Sequence, residues 1–227
     1  MLPSFTEQDM REATKLLQDL VRIDTTNPPG NEGKASEFLK RVFDSEKIEC
    51  DIVGPENRES FVSRLPERAA KPRLLLLSHT DVVPVTDVSK WRHPPFSAEI
   101  EGEWLYGRGA CDDKFDVAVE AMTMILLKRH NVKLNGTLIF AATADEEAGA
   151  QHGCGWLVNN VPDRVKAEYV LNEGGGAPVK IGGKIFYTVG FGEKGICWFK
   201  LKSRGKAGHG SIPTLGDNAN LKMAEAF

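Results

Sequence analysis

Apolar residues return along this chain with two different periods, and the alternation between them predicts its elements. Met10, Ala13, Leu17, Leu20 and Val21 recur at helical spacing. Thr6 and Asp9 precede them at the spacing of a capping box, so a helix with one buried face is expected up to about Ile23. The stretch TTNPPGNEG, residues 25–33, breaks that helix with two prolines and two glycines. Ala35, Phe38, Leu39, Val42 and Phe43 then mark a second amphipathic helix. Short strands are expected over 48–53, 60–65 and 73–78. The last of these, RLLLLSH, is apolar at consecutive positions, as a strand covered on both faces of a parallel or mixed sheet should be.

In ACDDKFDVAVEAMTMILLKRH the residues Phe115, Ala118, Val119, Met122, Ile125 and Leu126 predict the face of a third helix. Lys128 and Arg129 fall in its last turn, where the helix dipole favours cations. A strand GTLIFAATA, a helix near 153–160 and a strand AEYVLNE follow. Strands alternating with helices predict the α/β class: a doubly wound mixed sheet with helices on both faces. From about residue 184 the texture changes to two β-type runs joined through glycine-rich punctuation, then a loop leading into a helix capped by Asp217. Residues 1–182 are therefore expected to form one domain and 183–227 the beginning of a second, α+β one. The chain stops at Phe227 inside a helical pattern, and the expectation is that it is a fragment.

Composition narrows the function. The 227 residues are 41% hydrophobic and 27% charged, within the ordinary range for a globular chain with a sizeable core. Net charge is -3, and no basic stripe appears, so neither a nucleic-acid nor a membrane partner is expected. The N-terminus turns polar within six residues and the longest aliphatic run is LLLL, which predicts neither export nor a membrane span. Four scattered cysteines without a C-x-x-C pair point to reduced thiols in a cytoplasmic protein, and none is assigned a catalytic role.

Candidate chemistry gathers at expected strand ends: SHTD (78–81), CDD (111–113), DEE (145–147) and NEGGG (172–176). The carboxyl edge of an open α/β sheet is where such folds bind ligands. Each stretch has an ordinary reading alone: a surface histidine, a helix cap at Asp112 or Asp113, a solvated acidic turn, a loop acid. Four such accidents at the ends of one sheet are a poorer account than a metal site. One imidazole with several carboxylates suits zinc, manganese or cobalt rather than a thiolate-rich structural zinc site. Asp81, two residues beyond His79 in extended chain, can orient the imidazole. A carboxylate bridging two cations would hold acids together that otherwise repel.

The segments LLLLSHTDVVPV, EGEWLYGRGACDDK, ATADEEAGA, LNEGGG and GKAGHGSIP resemble, in order, the successive signatures of the M20 metallopeptidase family, the aminoacylase, desuccinylase and carboxypeptidase group. The likeness runs from about residue 10 to the end. It implies a di-zinc exopeptidase-like fold followed by the start of a lid or dimerisation domain. It also implies two Zn2+ per subunit, with Co2+ or Mn2+ as substitutes, and a hydrolase acting on an N-acyl amino acid or short peptide. By this resemblance His79, Asp112 and Glu173 hold one metal, and Asp112 bridges to a second that Glu147 also binds. Asp112 is preferred to Asp113 because the family's ligand stands two residues before a lysine, here Lys114. Asp81 orients His79, Glu146 is the general base acting on a metal-bridging water, and His209 polarises the substrate carbonyl. A homodimer is implied for the full-length protein. The family's further metal-ligand histidine and its substrate-carboxylate groups have no counterpart in this chain, which is expected to cover roughly half of a member and to be inactive alone. The competing expectations are a catalytically silent relative that binds amino-acid derivatives and an α/β interaction module without metal.

Overall fold

The computed structural model describes residues 5–65, 72–174, 178–188, 192, 194–195, 197 and 199–226. It divides into two compact units, Met1–Val189 and Gly190–Phe227.

In the first unit, helix α1 (Glu7–Arg22) starts on the expected box: Thr6 Oγ1 accepts from the Asp9 N–H and Asp9 accepts from the Thr6 N–H. Its buried residues are Asp9, Leu16, Leu20 and Val21, whereas Met10, expected on the inner face, is exposed. Helix α2 (Gly33–Ser45) buries Ala35, Leu39 and Phe43. Strands β1 (Cys50–Val53), β2 (Ser60–Leu65) and β3 (Arg73–His79) follow, then a small antiparallel hairpin of β4 (Glu99–Glu101) and β5 (Trp104–Tyr106). Helix α3 (Lys114–Arg129) carries Lys128 and Arg129 in its last turn, as expected. Its buried apolar residues are Val117, Ala118, Ala121, Met122, Met124, Ile125 and Leu126, and Lys114 is buried with them. Phe115 and Val119 are exposed, which corrects the expected face. The helix is apolar around most of its circumference, so spacing identifies it without fixing which stripe turns inward.

Strand β6 (Thr137–Thr143), helices α4 (Cys154–Asn160) and α5 (Pro162–Val165) and strand β7 (Tyr169–Leu171) complete the main sheet. Its order is β1-β2-β6-β3-β7. Strands β6, β3 and β7 run parallel, and β2 and β1 add antiparallel at one edge. The mixed sheet has helices on both faces. On one face Phe61, Leu76, Phe140 and Ala142 pack with Leu20, Phe43 and Val117. On the other, Val62, Leu75, Ile139 and Ala141 pack with Leu157 and Val165. Alternate residues of one strand serve opposite cores, which is why RLLLLSH and TLIFAAT are apolar throughout. Phe43, Phe61 and Phe140 form an aromatic centre, with ring centroids 4.8 to 5.9 Å apart.

A hairpin of β8 (Pro178–Ile181) and β9 (Lys184–Tyr187) ends the described part of this unit. The run at 184 thus pairs backwards with a strand that alternation does not reveal. Of the second expected run, Ile196 and Trp198 lie outside the described residues, and the described remainder forms no strand. In the second unit, α6 (Ala219–Ala224) is capped by Asn218, whose side chain accepts from the Asn220 N–H at 2.9 Å, so Asn218 replaces Asp217 as the cap. Asp217 instead pairs its backbone with Lys206. Among the described residues no helix is long and apolar enough to cross a membrane.

Candidate metal centre

The parallel strands β3 and β6 are in register to their last residues, His79 opposite Thr143. Their C-terminal ends therefore deliver SHTD and DEE side by side. His79 is 2% exposed and held from three directions. Its backbone N–H donates to Asp113 Oδ2 at 3.0 Å. Nδ1 lies 3.1 Å from the Asp81 carbonyl and 3.4 Å from Asp81 Oδ1. Nε2 faces Asp112 Oδ1 at 3.1 Å, Glu173 Oε2 at 3.4 Å and Glu146 Oε2 at 3.8 Å. An N–H at Nδ1 directed onto Asp81 leaves the Nε2 lone pair for a cation.

One donor atom each from His79, Asp112 and Glu173 lies within 4.8 Å of the others. Zinc ligands about 2.1 Å from the ion at tetrahedral corners stand about 3.4 Å apart, and one imidazole with two carboxylates is a donor set that hard-to-borderline dications accept. The group fits such an ion. Electrostatics agree. Burial works against a charged imidazole, but Asp81, Asp113 and Glu173 outweigh it and push His79 up to about 10. Burial pushes Glu173 and Glu147 above the ordinary carboxylate range, and Asp112 and Glu146 add to the shift in both. A dication would relieve that accumulated negative charge and displace the imidazole proton.

The DEE turn divides its three acids between two tasks. Asp145 adopts the left-handed conformation, φ 66°, which aspartate tolerates better than most residues. This turns its own side chain inward, where it is 3% exposed. Its Oδ1 accepts from Arg58 Nη2 at 2.6 Å and Asn27 Nδ2 at 3.1 Å, and Oδ2 meets the His152 N–H at 3.0 Å and Nδ1 at 2.9 Å. Burial raises the Asp145 carboxyl, but these donors outweigh it and hold the group at about 2. The next two N–H groups, of Glu146 and Glu147, donate to Asp81 Oδ1 and Oδ2, both at 3.0 Å. Asp81 thus touches both the imidazole and the turn that carries the two glutamates. Across the Asp112–Asp113 peptide the side chains part: Asp112 is 69% exposed toward the site, while Asp113 is buried against His79.

Of the residues singled out from the sequence, His79, Asp81, Asp112, Glu146 and Glu173 gather around one imidazole. Glu147 follows Glu146 in the turn but is outside the three-donor group, and no second such group occurs among the described residues. His209 belongs to the second unit, where its Nδ1 lies 2.8 Å from Ser211 Oγ. Sequence reasoning passed over Asn27, Glu32 and Arg58. Arg58 forks onto Glu32 at 2.8 and 2.9 Å, and Glu32 accepts the Asp145 N–H at 3.2 Å. The only signal for Asn27 and Glu32 was two polar groups inside a proline-glycine turn.

A family model described as peptidase family M20/M25/M40 matches residues 75–222. An uncharacterized metallohydrolase of Methanococcus maripaludis is 31% identical over 92% of this chain and 53% of that protein. A probable succinyl-diaminopimelate desuccinylase of Staphylococcus aureus is 32% identical over 96% of this chain and 50% of that protein. The chain thus spans about half the length of the curated relatives it matches. The crystal structure of an M20 family metallo-carboxypeptidase from Sulfolobus solfataricus superposes with a TM-score of 0.65 and 24% identity, over 73% of this chain and 38% of that one, a likeness of fold.

Proposed function

The chain belongs to peptidase family M20/M25/M40, and on that premise we propose that its site serves metal-dependent hydrolysis of the amide bond of an N-acyl amino acid or short peptide. The observation that carries this reading is the convergence of Asp112 and Glu173 on the outward nitrogen of His79. These three would hold one zinc ion, and Asp112 with Glu147 would hold a second. When bound, such ions lower the pKa of water and polarise the scissile carbonyl.

The chain's own residues do the rest. Asp81 keeps the His79 ring oriented through Nδ1. Glu146, half exposed and beside Nε2, accepts a proton on its carboxylate from the attacking water as the new C–O bond forms. As the C–N bond breaks, Glu146 returns that proton to the leaving nitrogen. On the family resemblance, His209 is the further catalytic residue, at the start of a lid or dimerisation domain of a homodimer, and the scattered cysteines support a cytoplasmic protein. Similarity to a probable desuccinylase makes N-succinyl amines the first substrates to assay.

The test uses the full-length protein, chelator-stripped, reloaded with zinc or cobalt and offered N-succinyl and N-acetyl amino acids. Glu146→Gln should lower kcat by about 100-fold or more while metal content stays unchanged. Glu147→Ala should lower metal content itself, read by elemental analysis. A Glu146→Gln protein with near wild-type kcat would refute the assigned base.

A further inference from the structure

Two buried carboxylates share one amide nitrogen. Asn27 Nδ2 donates to Asp81 Oδ2 at 2.8 Å and to Asp145 Oδ1 at 3.1 Å. All three residues are at most 3% exposed. A side-chain NH2 carries two hydrogens and accepts nothing, so it can sit between two anions that would otherwise repel at this distance. The backbone of Asn27 is fixed as well. Its N–H donates to the Val82 carbonyl at 2.9 Å, the Val82 N–H returns a bond to Thr25 at 3.2 Å, and Thr25 Oγ1 donates to Thr80 at 2.6 Å. Residues 25–27 are thereby joined to residues 80–82, the segment that carries Asp81. On the far side Asp145 is anchored by Arg58, which also grips Glu32.

We propose that Asn27 is a positioning residue of the metal centre: its one nitrogen, bonded to Asp81 and Asp145, fixes the strand end carrying His79 relative to the turn carrying Glu146 and Glu147. This rests on the reading of His79 as a ligand. Asn27 touches no ligand atom itself. It acts through Asp81, which contacts the His79 ring and accepts the N–H groups of both glutamates. Arg58 is the second member of the same brace.

The experiment loads the full chain with Co2+ alone and records affinity by calorimetry and coordination by visible absorption. Asn27→Asp keeps the size of the side chain but replaces the bridging donor with a third carboxylate. It should weaken Co2+ binding by about 10- to 100-fold and alter the absorption bands at full occupancy, the usual effect of disturbing a ligand's supporting bonds. Arg58→Lys keeps the charge but loses the fork, and should shift both readouts the same way by a smaller factor. A residue that only stabilises the fold would lower the unfolding midpoint and leave affinity and bands unchanged, and that result in Asn27→Asp overturns the proposal. Should Asn27→Asp fail to fold, Arg58→Lys decides by the same two readouts, unchanged values overturning it. His79→Ala separates the two readings. If it binds Co2+ as the parent does, the ligand assignment falls and the inference with it. If it abolishes binding while Asn27→Asp and Arg58→Lys do not weaken it, the inference alone falls.

Discussion

Arg58→Ala would strip two buried carboxylates of their shared cation, and the structure fixes what each has left. The Arg58 side chain is 16% exposed, Glu32 is fully buried and Asp145 is 4% exposed. Three charge-assisted hydrogen bonds disappear, at 2.8 and 2.9 Å to Glu32 and 2.6 Å to Asp145. Asp145 keeps Asn27 and both donors of His152. Glu32 keeps the Asp145 N–H, at 3.2 Å. The loss therefore falls chiefly on Glu32, a carboxylate with no water contact in the native fold. Removing one partner of a buried pair typically costs about 3–5 kcal/mol. Because Arg58 itself reaches solvent and its removal opens a path for water, the lower end, about 3 kcal/mol, is expected. For a chain of this size that corresponds to a fall in Tm of roughly 6–12 °C. Urea unfolding followed by circular dichroism measures it directly. The double variant Arg58→Met with Glu32→Gln removes both charges and should recover much of the loss, since the penalty arises from an uncompensated charge. A cost below about 1 kcal/mol for Arg58→Ala, the value of an exposed pair, would show that the network is solvated and refute the reasoning.

Two further outcomes follow from single contacts. The Glu120 carboxyl is pushed up to about 8, chiefly by burial, against the Ser78 hydroxyl that donates to it at 2.7 Å, with Asp116 adding to the rise. The native state keeps a proton that the unfolded chain gives up near 4.5, so stability should fall as pH rises from about 4.5 to about 8. Glu120→Gln should flatten that fall in urea midpoints taken at pH 5 and pH 9, and an unchanged slope would contradict it. At Gly153 an added Cβ would lie 1.7 Å from the Ala144 carbonyl oxygen, a backbone atom just beyond β6. Gly153→Ala should cost about 3 kcal/mol or more, the upper end of overpacking, and a midpoint within 0.5 kcal/mol of the parent would show that the turn relaxes freely.

The sequence made the elements and the chemistry of the site legible because both are written locally. Capping at Thr6, the consecutive apolar residues of β3 and β6, and the four acid-bearing stretches each depend on neighbours a few positions away. The metal triad was reachable through those local segments together with the family resemblance: His79 ends β3 and Glu173 follows β7 by two residues, whereas Asp112 stands two residues before α3 and not at the expected strand end. Faces were less legible: α3 is apolar nearly all round, so Phe115 and Val119 read as core and stand exposed. The cap at Asn218 instead of Asp217 is a shift of one residue between two side chains that cap equally well.

Pairing across the chain was decided by tertiary structure. That β6 lies between β2 and β3, and that β8 pairs with β9, follows from which edges meet once helices cover both faces. Asp145 looks from sequence like a third acid of one cluster, yet it faces Arg58 and Asn27, 87 and 118 positions away. Residue types alone thus determined which groups could hold a metal, because ligand chemistry belongs to single side chains. Which carboxylates turn toward the site and which turn inward was set only by folding, because a buried charge must find its partner wherever the packed chain brings one.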